Sequence, residues 1–186
     1  MSRGRRKRPE DAASPQMPAL PDIPAILTVL VEHAVSFLVI GGVAVAHHGF
    51  VRATKDLDIV PAPDRANLSN LWEALVELKA QPLSLGDFRL EELPAPFNLE
   101  GLGGRGNWDL ATMYGRIDIL QYVVSKLETP EDYKRLDQTA EEARYDFGTV
   151  RYVSFEDLID FKNIAGRDQD LIDIRALREA RGDIAP

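Results

Sequence analysis

Apolar positions along the chain follow two periods. Ile23, Ile26, Leu27, Leu30, Val31 and Ala34 recur at i, i+3, i+4, i+7, i+8 and i+11, the single stripe of an amphipathic helix. Asp22 stands where a cap is wanted, and Pro24 falls in the first turn, where proline is tolerated. Phe37–Ile40 is then a continuous apolar run, short enough for a buried strand. Gly41 and Gly42 follow at once, and Val43 to His48 fits a short helix whose N-terminus faces the glycines. In Asp56-Leu57-Asp58-Ile59-Val60 the pattern alternates, so both aspartates leave one face of a strand while Leu57 and Ile59 enter the other. Pro61 and Pro63 end that strand. Asp64 to Lys79 reads as a second helix, with Leu68, Leu71, Trp72, Leu75 and Leu78 on one side.

Between Pro82 and Asn107 the periodicity dissolves. The Gly101–Gly106 stretch reads as a connector, since no Gly-Lys-Ser/Thr follows to make a phosphate loop. Trp108–Thr112 and Arg116–Gln121, on either side of Tyr114-Gly115, predict a hairpin. Asp118 lies between Ile117 and Ile119, on the face opposite theirs. Thr129-Pro130-Glu131-Asp132 has capping-box character and predicts a helix to about Ala143, followed by a short hairpin over Asp146–Val153. Ser154 opens a helix through Leu158–Ala165. After Gly166-Arg167, Asp168 caps a last helix carrying Leu171, Ile172, Ile174 and Leu177, closed by Arg178, Arg181 and Gly182. The element order predicts an α+β fold, a mixed sheet flanked by helices. It divides into a leader (1–21), a core (22–125) and a C-terminal helical region packed on the core (126–186).

Composition narrows the chemistry. Hydrophobic content of 45% and charged content of 28% are those of an ordinary globular chain. The absence of cysteine excludes disulfides, thiolate zinc sites and a cysteine nucleophile. His33 reads as a surface residue, and His47 and His48 as lining or capping the short helix rather than binding metal. No apolar run approaches the ~20 residues of a membrane span, and the basic start lacks the apolar segment of a signal peptide; a cytoplasmic location is expected. Net charge is −8, although Arg3, Arg5, Arg6, Lys7 and Arg8 are all positive, so the remainder is more acidic still. That body argues against broad duplex binding, which needs basic surface. The basic arm, continued by Pro9, Pro15, Pro18, Pro21 and Pro24, reads as a non-helical leader rather than a hook for RNA.

Two carboxylates at neighbouring same-face positions repel, and a cation relieves them. Asp56, Asp58 and Asp118 supply three, with Asp109 on the neighbouring strand as a rival third. Oxygen-only ligands select Mg²⁺ or Mn²⁺. Two such ions roughly 3.5–4 Å apart clamp the attacking and leaving oxygens of phosphoryl or nucleotidyl transfer. A glycine turn at a helix start presents N–H groups to phosphate. Arg52, Lys55, Lys162 and Arg167 are candidates to neutralise a triphosphate, although Lys162 reads equally as a solvated helix residue. Asp170 and Asp173 read first as partners in local salt bridges.

These residues carry a resemblance. Gly41-Gly42, thirteen intervening residues, Asp56-Leu57-Asp58 and the later Asp118 resemble the DNA polymerase β-type nucleotidyltransferase superfamily, although its spacer is often shorter. The string GGVAVAHHG…RATKDLDIV and the tail SFEDLIDFKNIAGRDQDLIDIRAL resemble the small bacterial branch related to abortive-infection toxins. The resemblance implies NTP (ATP among them) and Mg²⁺ as cosubstrates, with transfer of a nucleoside monophosphate to an acceptor hydroxyl and release of pyrophosphate. It makes Asp56 and Asp58 the bridge between both metals, and Asp118 the ligand on the nucleophile side. Gly41, Gly42, Arg52, Lys162 and Arg167 then hold phosphates, and Thr54 orders the turn into Asp56. The implied acceptor is RNA, tRNA or protein, with a cognate antitoxin as partner. The alternatives are a small-molecule transferase of the antibiotic-modifying kind and a catalytically silent binding module.

Overall fold

The structure, a computed structural model, describes residues 20–83 and 96–184. The expected leader lies outside them except for its last two residues. In chain order the elements are α1 (Ile23–Glu32), β1 (Phe37–Ile40), α2 (Gly41–His47), β2 (Asp56–Pro61), α3 (Arg65–Glu77), β3 (Gln81–Pro82) and α4 (Leu99–Gly103). Then follow β4 (Trp108–Thr112), β5 (Gly115–Ile119), α5 (Pro130–Thr139), β6 (Glu141–Tyr145), β7 (Gly148–Tyr152), α6 (Phe155–Ala165) and α7 (Asp168–Arg181). Among the described residues the strands form one seven-stranded mixed sheet in the order β3-β4-β5-β2-β1-β7-β6. β2 runs parallel to β5 and antiparallel to β1, and β1 runs parallel to β7. The α+β expectation is met: a mixed sheet flanked by helices.

Burial follows the alternation. Leu57, Ile59, Ile117, Ile119 and Leu110 are fully buried on the core face of three adjacent strands, and Val39 of β1, opposite Ile59, continues that layer. Helix starts are fixed by side chains that accept from orphan N–H groups: Asp22 from Ala25 N at 3.1 Å, Asp64 from Asn67 N at 2.9 Å and Ser154 from Asp157 N at 3.2 Å. Thr129 and Asp132 form the reciprocal capping box at the start of α5.

Four boundaries differ from the sequence reading. α2 begins at Gly41 itself, so both glycines are its first residues rather than a turn before it. Leu99–Gly103, expected as connector, is a helical turn capped by Asn98, which accepts from Gly101 N at 2.9 Å. α5 stops at Thr139 because Ala140 turns extended (φ −64°, ψ 144°). The hairpin expected over Asp146–Val153 is therefore longer, starting at Glu141, which pairs opposite Tyr152, and it adds two strands to the sheet. In α7 the buried stripe is Asp170, Asp173, Ile174 and Leu177, whereas Leu171 and Ile172 are more than half exposed.

One buried ion cluster ties the C-terminal elements together. Asp157, at the start of α6, receives Lys126 Nζ at 2.7 Å, Arg135 Nη1 at 3.0 Å, Thr139 Oγ1 at 2.9 Å and Ser154 Oγ at 2.7 Å. Burial pushes its pKa up, but bonds from Lys126, Ser154, Arg135 and Thr139 together outweigh that and hold it at about 2. A depressed carboxylate stabilises the fold above its ordinary value, and that stability is lost as pH falls from about 4 towards about 2. Asp157→Asn should therefore cost about 2–3 kcal/mol at pH 7, because Lys126 stays buried and is left with only the exposed Asp160 as counter-charge. In urea denaturation the gap to the parent should narrow across that acid window.

Candidate active site

β2 and β5 set the geometry. Their parallel register puts Asp56 opposite Arg116 and Asp58 opposite Asp118, and the antiparallel register of β4 puts Asp109 opposite Asp118. Adjacent strands lie about 4.8 Å apart, so Asp58 and Asp118 are immediate same-face neighbours. Asp109 is exposed and sits one strand further from Asp58. The structure thus brings Asp56, Asp58 and Asp118 together from two segments, with Asp109 at their margin.

The electrostatics record the crowding. Burial, reinforced by Asp56, raises Asp58 to about 6 against the pull of Arg167, Gly42 N–H and Lys162. Burial, then the charges of Asp109, Asp58 and Asp56, raises Asp118 to about 7, with Arg116 opposing. Asp118 Oδ1 is buried without a hydrogen-bond partner among the described residues. The nearest cation, Arg116 Nη2, stands 3.7 Å from it, beyond hydrogen-bond reach. An unpartnered buried carboxylate oxygen between like charges calls for a cation, and an all-oxygen donor set is of the magnesium or manganese kind, although the three aspartates do not stand as a group with ligand atoms all within 4.8 Å of one another.

Gly41 is required by close approach. Its φ is +63°, and a Cβ there would lie 1.9 Å from Asp58 Oδ2. The Gly42 N–H helps to pull the Asp58 pKa down, and a Cβ on Gly42 would meet Thr54 Oγ1 at 2.5 Å. Thr54 Oγ1 in turn donates to Asp56 O at 3.2 Å and contacts Asp56 Oδ1 at 3.3 Å, which fixes the approach to β2. Thus the diglycine start of α2 is shaped around the aspartate pair.

Behind the carboxylates lies a second ionic group. Arg52 grips Asp173 fork-to-fork, Nε to Oδ1 and Nη2 to Oδ2, each at 2.7 Å. Lys162, only 4% exposed, donates to Asp173 at 2.6 Å and Asp170 at 3.1 Å, and Arg167 Nε donates to Asp170 at 2.8 Å. Burial works to raise Asp173, but Arg52, Lys162 and Gln169 together hold it at about 2. Three cations against two carboxylates leave one positive charge over, directed at Asp56 and Asp58. Lys55 is exposed and stands outside this group. Sequence reasoning placed Asp170 and Asp173 in local pairs; the structure buries both and joins Asp173 to a residue 121 positions away. The available signal was two aspartates in the i, i+3, i+4, i+7 stripe of α7 with Ile174 and Leu177. Arg116, which flanks Asp118, was not singled out.

No protein-family model and no curated protein matches the chain. Solved structures do. A lincosamide antibiotic adenylyltransferase, LnuA, solved with lincomycin bound, superposes at a TM-score of 0.55 and 18% identity over 85% of this chain and 95% of that one. ANT(2'')-Ia in complex with adenylyl-2''-tobramycin matches at 0.53 and 16% over 87% of this chain and 88% of that one. A solution structure of the same antibiotic-resistance factor matches at 0.53 and 16%, over 87% and 83%. At these identities the likeness is one of fold: the chain has a nucleotidyltransferase fold.

Two outcomes test the geometry. A carboxylate whose pKa is raised by folding weakens the fold as pH climbs from about 4 through that raised value. In chelator, Asp118→Asn should therefore be more stable than the parent at pH 8, on the order of 1–2 kcal/mol, and should lose the advantage near pH 4. Chemical denaturation at the two pH values reads this. Gly41→Ala should cost about 1–3 kcal/mol from left-handed strain and overpacking against Asp58, read as a lowered denaturation midpoint.

Proposed function

We propose that this chain is a magnesium-dependent nucleotidyltransferase, which moves a nucleoside monophosphate from an NTP to an acceptor hydroxyl. One observation carries the reading: Asp58 and Asp118 face each other across β2 and β5 beside Asp56, with Asp118 Oδ1 buried and unpartnered. Asp56 and Asp58 would hold two Mg²⁺ (or Mn²⁺) jointly, and Asp118 the one on the acceptor side. Bound there, the ions supply Lewis-acid stabilisation of the charge that builds on the phosphoryl oxygens.

The protein's own part is positioning and proton transfer. Asp118 would take the proton of the acceptor hydroxyl at its other oxygen, Oδ2, as that hydroxyl oxygen bonds to the α-phosphorus. The bond from the α-phosphorus to the bridging oxygen breaks, and pyrophosphate leaves with its electron pair. Arg52 and Lys162 each keep N–H donors beyond those given to Ala53, Asp170 and Asp173. With Arg167 and the Gly41-Gly42 backbone they line the triphosphate side, and Thr54 holds the approach to Asp56.

For the acceptor we favour a small cationic molecule bearing a hydroxyl. Asp109 extends the anionic face past the three aspartates, and of the structures with the same fold named above one is a lincosamide antibiotic adenylyltransferase and another is a complex with adenylyl-2''-tobramycin. The likeness of the α6–α7 segment to abortive-infection toxins supports a second reading, transfer to RNA or protein with an antitoxin as partner. Incubation of the full chain with labelled NTPs and Mg²⁺ against three acceptor sets (aminated sugars and related cations, total RNA, cell protein) should show transfer to the first. Asp56→Asn or Asp58→Asn should reduce it at least about a hundredfold, equivalent to roughly 2.7 kcal/mol. Transfer to RNA or protein alone would replace the acceptor; no aspartate-dependent transfer in any set would overturn the reading.

A further inference from the structure

At the far end of α2 from the glycines, His47 and His48 meet Glu141, the first residue of β6. His47 Nε2 lies 3.5 Å from Glu141 Oε2, and His48 Nδ1 lies 3.8 Å from Glu141 Oε1. One ligand atom from each of the three residues falls within 4.8 Å of the others. The two rings stand edge to face, at 76° and 5.0 Å between centroids. Residues adjacent in a helix do not normally face one partner, but His48 is the cap residue where α2 ends, so its ring swings round to the same carboxylate.

Two further contacts organise the group. His48 Nε2 lies 2.9 Å from Val153 O, and because a carbonyl only accepts, that nitrogen carries the proton. Nδ1 of the neutral ring is then a lone pair aimed at a carboxylate oxygen, an acceptor facing an acceptor. The His47 ring is clamped flat on Tyr152, 3° from parallel at 4.1 Å between centroids, which fixes the direction of its Nε2. An imidazole that donates its other N–H to a backbone carbonyl is the usual support for a metal-ligating histidine. Two imidazole nitrogens and a carboxylate oxygen suit a borderline cation and not magnesium. A tetrahedral ion with bonds of about 2.0–2.2 Å sets its ligand atoms roughly 3.3–3.6 Å apart, so ligand atoms that now lie within 4.8 Å of one another would have to draw together around it.

We propose that His47 Nε2, His48 Nδ1 and Glu141 form a binding site for a Zn²⁺-class cation, separate from the aspartate cluster and closed by water at the fourth position. It pins the C-terminal end of α2 to the β6–β7 hairpin. The seven residues of α2 span about 10 Å, which keeps the two sites distinct.

The test uses the tag-free full chain, stripped with chelator and dialysed, and titrated with Zn²⁺ by calorimetry and with Co²⁺ by visible absorption. One equivalent should bind, Co²⁺ should develop the intense bands of tetrahedral coordination, and excess Mg²⁺ should not displace it. His48→Ala and the surface variant Glu141→Gln should each weaken Zn²⁺ binding on the order of tenfold or more. Asp56→Asn should leave it unchanged. Glu141 is half exposed and Glu141→Gln keeps its shape, so that variant still reports if His48→Ala fails to fold. The proposal is overturned if no equivalent binds, if Glu141→Gln binds as the parent does, or if Asp56→Asn abolishes binding. Transferase activity enters none of these readings.

Discussion

The arrangement turns on like charges held side by side where water screens them poorly. Three carboxylates on adjacent strand positions would, left alone, push the strands apart or take up protons, and Asp58 and Asp118 lean towards the second course. The sheet tolerates them because the opposite face of the same strands is wholly apolar, with Leu57, Ile59, Ile117 and Ile119 fully buried. Burial of four such side chains, at roughly 1.5–3 kcal/mol each, outweighs the repulsion on the other face. The anionic face is thus a cost carried by the core.

The buried cations behind the site answer the same constraint. Lys162 and Arg52 meet on Asp173, a carboxylate with no exposure at all. Removing any one partner strands the others, and such breaks cost more than a surface pair contributes. The knot also has a geometric effect. It binds the segment leading into β2 to α6 and α7, so that the two C-terminal helices are held against the aspartates rather than merely packed on the sheet.

Much of this was readable from residue order alone, and the reasons differ by element. α1, α3, β2 and β5 declare themselves because one face of each is apolar at the right period, which also fixed the side on which Asp56, Asp58 and Asp118 emerge. β6 was not legible. Glu141-Glu142-Ala143-Arg144 carries helix formers with no apolar alternation, and only pairing with Gly148–Tyr152 makes it a strand. α4 was hidden by its glycines, which weaken any helical pattern. The Arg52–Asp173 pair joins positions that no local window contains. It left one trace, acids in the buried stripe of α7, and the neighbouring Leu171 and Ile172 drew attention to the wrong face. The histidine pair was weighed as residues at a helix end, since its carboxylate partner belongs to the strand that went unread.

The charged character of β6 has a further outcome. As the last strand of the sheet on its side, β6 leaves one row of backbone donors and acceptors without a strand neighbour among the described residues. Glu141, Glu142 and Arg144 stand exposed along it. Another extended chain that docked there would have to bring its own residues against fixed charges of both signs, a poor template for fibre growth. The opposite margin, β3, is two residues long and includes Pro82, which has no N–H to offer. Among the described residues, both borders of the sheet therefore discourage the addition of a strand from another molecule.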